Sequence, residues 1–286
     1  MEQYQNLLSK IMRQGTWTHD RTGVGTKKIF GHQMIFDLER SFPLVTTKHT
    51  SLKTISFELQ WLLKGSSSIK FLQEKGVTIW DEWADSNGEL GPVYGVQWRN
   101  WPTYDFFTED EGTKTFTESQ PIDQFAEVMT SLRDNPFSRR HIISAWNVGQ
   151  LSEMKLPPCH AFVQWDVSED NGVKYLSCQM YQRSADTFLG VPYNIACYAL
   201  LTKLMAHCLG YTAKTFIHTL GDTHVYKNHM DQVFEVLRRE PFPLPTLKVN
   251  SSMTTEKLLA GDFEMGVDFD LIDYVRHPAI KASVAV

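Results

Sequence analysis

Cysteine is scarce in this 286-residue chain. Its four copies, Cys159, Cys178, Cys197 and Cys208, form no C-x-x-C pair and no zinc-type spacing, so neither a disulfide framework nor a metal site is expected. The first residues hold no apolar signal-type stretch, and reduced thiols in a cytoplasmic protein follow as the expectation. Positive charge is not in excess: 28 Lys and Arg stand against 33 Asp and Glu, a net charge of −5. Wholesale coating of nucleic acid is therefore not expected. Long hydrophobic runs are missing too. The most apolar stretch, Val191 to Leu209, is broken by Asn194, Lys203 and His207, and it reads as a buried helix, not a membrane span. The glycine-rich segment Asp20–Thr26 lacks the Gly-Lys-Ser/Thr ending of a P-loop. With no repeat, low-complexity block or linker, residues 1–286 read as one domain.

What the chain does have is core material and aromatic rings: 42% of residues are hydrophobic and eight are Trp, enough for a sizeable core and for stacking on flat ligands. Helical spacing marks Tyr4–Arg13, Ser51–Leu63, Ile122–Leu132, the segment from Pro192 to Gly210, and Asn228–Arg239. Alternation marks strands over Lys28–Leu38, Ile142–Trp146, 160–167, 174–182, 213–226 and 247–250. Tyr104–Gln120 is polar, acidic and unpatterned, and reads as an exposed loop. Strands and helices mix without regular βαβ alternation, which indicates an α/β (α+β) chain.

One turn stands out. In Leu156-Pro157-Pro158-Cys159-His160, two prolines fix φ and remove two donors. Cys159 thus sits on a stiff turn at the mouth of a strand. Two readings fit it, a buried structural thiol and a nucleophile. Other positions are equally two-sided. Glu58 falls on or beside the apolar stripe of its helix, either turned inward as a proton handler or reaching solvent from the stripe edge. Trp80 and Trp83 either line a slot for a flat ligand or join the core. Arg21 rides on the glycine-rich loop, either delivered to an anion or part of a plain turn. Arg139 and Arg140 suit a phosphate or a carboxylate, or stand solvated. Asn194 is a helix cap or a ligand contact. Asp222, His224 and Tyr226 alternate and share one strand face.

Taken together and in order, the stretches DRTGVGT, FPLVTTK, TIWDEWAD, LGPVYGVQWR, SRRHIISAWNVG, LPPCHAF, LSCQMYQRSADTFLGVPYN, HTLGDTHVYKNH and HPAIKASVAV resemble the thymidylate synthase family over most of the chain. That resemblance implies a mixed β-sheet with helices on one face and a homodimer interface on the other. It implies conversion of dUMP to dTMP, with 5,10-methylenetetrahydrofolate giving the one-carbon unit and the hydride. Cys159 would attack C6 of the uracil, its thiolate favoured by Arg183. Arg21, Arg183 and Ser184 would hold the 5′-phosphate, joined by Arg139 and Arg140 from the partner subunit. His224 and Tyr226 would bond the sugar 3′-hydroxyl. Asn194 would read the base, because a neutral amide matches O4 and N3–H of uracil, whereas the related cytosine hydroxymethylases carry Asp there. Asp186 would bond the pterin, with Trp80, Trp83, Leu156 and Tyr193 lining its slot. Lys48 would meet the glutamate tail and Val286 would close over the site. Glu58 and Tyr94 would manage protons.

Some positions depart from the family pattern. Ser51 and Phe57 stand where bacterial members usually carry histidine. Tyr193 replaces Phe beside the asparagine, Trp165 replaces Phe after the cysteine, and 104–120 is longer. Three other functions compete with the synthase. A dUMP hydroxymethylase would share the substrates but let water quench the methylene intermediate. A non-catalytic nucleotide- or RNA-binding protein has no use for the combination of Cys159, Arg183, Asn194 and Glu58. A Cys/His hydrolase would pair Cys159 with His160 or with His224: the first meets a geometric obstacle, since neighbours on an extended chain point oppositely, and the second requires the fold to bring His224 to the thiol.

Overall fold

In the computed structural model, which describes residues 1–108 and 114–285, the alternating runs assemble into a six-stranded sheet. Its strands are β1 (Thr16–Thr18), β2 (Thr26–Asp37), β5 (Ile142–Ser144), β6 (His160–Asp170), β7 (Val173–Asp186) and β8 (Thr212–Tyr226), in the order β1-β2-β8-β7-β6-β5. The β7–β8 pair is parallel and the other neighbours are antiparallel, so the sheet is mixed. Two hairpins lie outside it: β3 (Tyr104–Thr108) with β4 (Lys114–Glu118), and β9 (Thr246–Val249) with β10 (Phe269–Ile272). The helices are α1 (Glu2–Gln14), α2 (Leu52–Leu63), α3 (Lys70–Glu74), α4 (Tyr94–Arg99), α5 (Gln124–Asp134), α6 (Gly190–Leu209), α7 (Met230–Arg238) and α8 (Thr255–Ala260).

The parallel β7–β8 pair requires a crossover, and α6 supplies it. This helix is apolar around most of its circumference because it is covered on most sides: residues from Val191 to Ala206 pack over β7 and β8 and against α2. Each fully buried Leu or Ile there contributes about 2 kcal/mol. Gly210 ends it in the left-handed region at φ 70°, donating back to the carbonyls of Ala206 and His207. α1 covers β2 in the same way. The opposite sheet face is left open, and Ile35, Phe162 and Tyr181 stand exposed on it beside Gln33 and Gln179.

Two helices are drawn unusually close at the centre. A Cβ on Gly95 of α4 would lie 2.4 Å from the carbonyl oxygen of Leu62 in α2, so only glycine admits this approach. Arg99, at the end of α4, locks it: the guanidinium pairs with Asp123 at 2.8 Å and donates to the carbonyl oxygens of Leu63 and Leu259. The α2–α4 contact brings Tyr94 next to the helix that carries Glu58.

The segment read as a loop at 104–120 differs from expectation. It holds the β3–β4 hairpin, in register from Tyr104↔Glu118 to Thr108↔Lys114. Its aromatic and threonine residues favour extended pairing, and the interspersed acids hid that in the composition. Residues 109–113 lie outside the described part. The helix expected from Asn228 begins at Met230, after a short 3-10 turn at Lys227–His229. No helix among the described residues is long and apolar enough to cross a membrane.

Candidate active site

The Cys159 turn is held from two sides. Arg183 of β7 folds back over it, with Nε donating to the Pro158 carbonyl at 2.9 Å and Nη2 to the Pro157 carbonyl at 2.7 Å. The guanidinium also lies 5.1 Å above the ring of Trp146. From the helical side, the phenolic oxygen of Tyr94 accepts the backbone N–H of Cys159 at 2.7 Å. Burial pushes the Cys159 thiol up, while Arg183 and the Tyr94 hydroxyl pull it down, and burial prevails. The resting group is a thiol with a cation and a hydrogen-bond donor already placed for the thiolate.

Behind Tyr94 the polar chain continues. The Tyr94 ring meets Trp80 edge-on at 5.7 Å, and the Trp80 indole N–H donates to Glu58 Oε1 at 3.0 Å. Glu58 does turn inward and is only 7% exposed. Burial raises its pKa to about 7, against the opposing effect of the Trp80 bond. A carboxyl poised there exchanges protons readily at neutral pH. Trp80 is itself buried, while Trp83, stacked edge-on to it at 5.8 Å, is only partly so.

Asn194 stands at the start of the second turn of α6, and its side chain is no cap. Its Nδ2 donates to Nε2 of His160 at 3.2 Å, and His160 Nδ1 meets the Tyr198 hydroxyl at 3.1 Å. Burial lowers the His160 pKa to about 3, so the ring is neutral. A neutral ring that accepts at Nε2 carries its proton on Nδ1. The amide of Asn194 is thereby oriented, and it keeps one donor and its oxygen for a ligand. His160 and Tyr198 were absent from the sequence-level site. The period-two alternation after Cys159 already turned His160 away from the thiol, but nothing in the chain pointed to its partner 34 residues on.

On the other side of Cys159 the strand ends converge. β7 and β8 run parallel with Ser184 beside Asp222 and Asp186 beside His224. Arg21 extends from a loop stiffened by Asp20, which accepts from Gly25 N at 2.7 Å and Thr22 N at 3.1 Å. Gly23 and Gly25 take φ of 73° and 85° there, open to glycine at little cost. Tyr226 feels both Arg21 and Asp186, and burial drives its pKa up to about 12. Asp186 spends Oδ1 on the backbone N–H groups of Phe188 and Leu189. Arg139 and Arg140 are exposed at the start of the edge strand β5. Among the described residues neither makes an ion pair or a side-chain bond to the Arg21, Arg183 and Ser184 group.

Lys48 points inward. Its ammonium donates to the Phe188 carbonyl at 2.5 Å and lies 4.0 Å from the centre of that ring. Burial lowers its pKa to about 8, with Asp186 opposing. Leu156 and Tyr193 are partly buried against the core, and the Tyr193 hydroxyl faces the backbone amide of Ser51. Ser51 caps α2 through Thr54 N at 3.2 Å. Val286 lies outside the described residues. The tail before it is tethered, with His229 Nε2 donating to the Ser283 carbonyl at 2.7 Å.

This group, a thiol, an oriented neutral amide and a buried carboxyl around paired strand ends, suits addition chemistry on a planar heterocycle. A family model described as thymidylate synthase matches residues 2–286, and on that match over nearly the whole length the chain belongs to the thymidylate synthase family.

Proposed function

We propose that the chain, acting as one catalytic domain, methylates dUMP to dTMP and releases dihydrofolate. The observation that carries this is the placement of Cys159 between Arg183 and Tyr94, with the amide of Asn194 oriented by His160, the next residue along the chain from Cys159. Cys159 adds to C6 of the uracil, and Arg183 with the Tyr94 hydroxyl supports the thiolate that does so. Asn194 matches O4 and N3–H, since the His160 bond uses only one of its donors. Arg21, Arg183 and Ser184 bind the phosphate. The residues at the folate side fit a reduced pterin: Asp186 has a second carboxylate oxygen without a protein partner among the described residues, and Trp83, Leu156 and Tyr193 offer partly buried apolar surface. When bound, methylenetetrahydrofolate supplies the carbon and the hydride. Glu58, poised near neutrality, moves protons there and at the base, and Tyr94 serves the proton lost from C5.

The active form is a homodimer in this reading. The open apolar sheet face carrying Ile35, Phe162 and Tyr181 is the interface, and Arg139 and Arg140 reach the partner's phosphate site. Exposure of both arginines, with no acidic partner among the described residues, supports that assignment. The four free cysteines suit the cytoplasm. The hydroxymethylase alternative has one observation in its favour: the Tyr193 hydroxyl beside Ser51 brings a polar group to the folate slot. Incubation with dUMP and methylenetetrahydrofolate decides between them. Dihydrofolate and dTMP in equal amounts support the synthase, and 5-hydroxymethyl-dUMP without dihydrofolate overturns it.

A further inference from the structure

Beside the strand ends that carry His224 and Tyr226, a third polar side chain joins from the neighbouring strand. In the β2–β8 register Lys28 stands opposite His224 and Phe30 opposite Asp222, so Lys28, Asp222 and His224 project from one face. Lys28 Nζ donates to Asp222 Oδ2 at 2.5 Å, and His224 Nδ1 lies 2.9 Å from Asp222 Oδ1. Each carboxylate oxygen is thus committed to one partner. The bonds from His224 and Lys28 hold the Asp222 carboxyl below the usual carboxylate range. An ionised carboxylate has no proton to give, so the proton in the second bond belongs to His224 Nδ1. In the neutral ring Nε2 then presents a lone pair. The His224 and Tyr226 rings meet edge-on at 5.0 Å, and burial keeps the phenol protonated. One acceptor and one donor therefore sit side by side, which is what a single alcohol needs to be fully bonded.

We propose that Lys28 is a positioning residue for nucleotide selection: through Asp222 it holds His224 in the tautomer whose Nε2 accepts the hydrogen of the sugar 3′-hydroxyl. This rests on the dUMP reading above and extends it to a residue two contacts away from the ligand. Lys28 and Asp222 are each about one-third exposed, at 34% and 32%. An ion pair so placed contributes little to stability by itself, and its effect is to appear in binding of the 3′-hydroxyl alone.

The test compares dUMP with 2′,3′-dideoxyuridine 5′-monophosphate by calorimetric titration of the full-length protein and its Lys28→Met, Lys28→Arg and Asp222→Asn variants. An asparagine can present N–H to Nδ1 and so admit the other tautomer. Lys28→Met is expected to weaken dUMP about three- to tenfold, the scale of one hydrogen bond, and to leave the dideoxynucleotide unchanged. Lys28→Arg restores dUMP binding, and Asp222→Asn weakens it more than Lys28→Met does. Equal weakening of both nucleotides, or no change in dUMP affinity, overturns the relay. Wild-type protein that binds neither nucleotide overturns the dUMP reading itself, and the relay with it. NMR of the imidazole nitrogens gives a check without any variant: a proton found on Nε2 of neutral His224 in the wild-type protein also overturns the assignment.

Discussion

The backbone N–H of Cys159 donates to the Tyr94 hydroxyl at 2.7 Å across 65 residues of chain, and the same hydroxyl faces the Cys159 thiol. One oxygen therefore fixes the turn and supports the thiolate. Tyr94→Phe keeps the ring packing on Trp80 and His160 and removes the bond to the turn together with the hydroxyl's pull on the thiol. The expected result is a loss of about a hundredfold in kcat, the scale of one proton-handling group, together with a higher thiol pKa. Alkylation of Cys159 by iodoacetamide across a pH series reads the second effect. An unchanged alkylation profile would mean that Tyr94 has no hold on the thiolate.

Glu58 makes a prediction about stability with a definite sign. Its folded-state pKa of about 7 lies above the ordinary value of 4.5. The native fold therefore binds this proton more tightly than the unfolded chain does. The stabilisation is complete below pH 4.5 and is lost as pH rises through about 7. Glu58→Gln keeps an acceptor for the Trp80 indole and has nothing to ionise. At pH 8 the variant should be more stable than wild type by about 3 kcal/mol, and at pH 4 the two should nearly coincide. Urea unfolding at both pH values measures this. The same variant should lose the limb near neutrality in the pH profile of kcat/KM.

Base selection depends on more than Asn194. Because His160 is neutral and bonded to Tyr198, Asn194→Asp can be accommodated by moving the imidazole proton to Nε2 while the Tyr198 hydroxyl donates to Nδ1. Asn194→Asp should then shift the ratio of kcat/KM for dCMP over dUMP upward by about a hundredfold. The double variant Asn194→Asp/Tyr198→Phe, which has no donor for Nδ1, should lose most of that gain. Competition kinetics with the two nucleotides distinguish the outcomes, and equal shifts in single and double variants would remove Tyr198 from the argument.

The dimer reading is tested by complementation. Cys159→Ser and Arg139→Ala/Arg140→Ala proteins should each be nearly inactive. After subunit exchange, an equimolar mixture should recover on the order of a quarter of wild-type activity, because each mixed dimer contains one intact site. Recovery requires that the arginines act across the interface. A mixture as inactive as its parts would place them in their own subunit's site or nowhere near one.

Local patterns in the sequence determined a good deal of this protein. Alternation marked the long strands β2, β6, β7 and β8, and a mostly apolar run with a few polar breaks marked α6, because burial on one face or on most sides leaves its period in the chain. The stiff Cys159 turn was legible from two prolines, and the inward set of Glu58 was one of two outcomes that helical spacing allowed. Tertiary structure chose between them: Trp80, on a separate turn, closes over the carboxyl and bonds it. The β3–β4 hairpin was hidden because its pairing lies between residues that composition alone makes look loop-like. The supports of the site were hidden for a related reason. His160 with Asn194, Tyr94 with Cys159, and Lys28 with Asp222 are contacts across 34, 65 and 194 residues. No local period encodes them. They exist because Gly95 lets two helices touch and because a parallel β7–β8 pair brings two distant strand ends side by side.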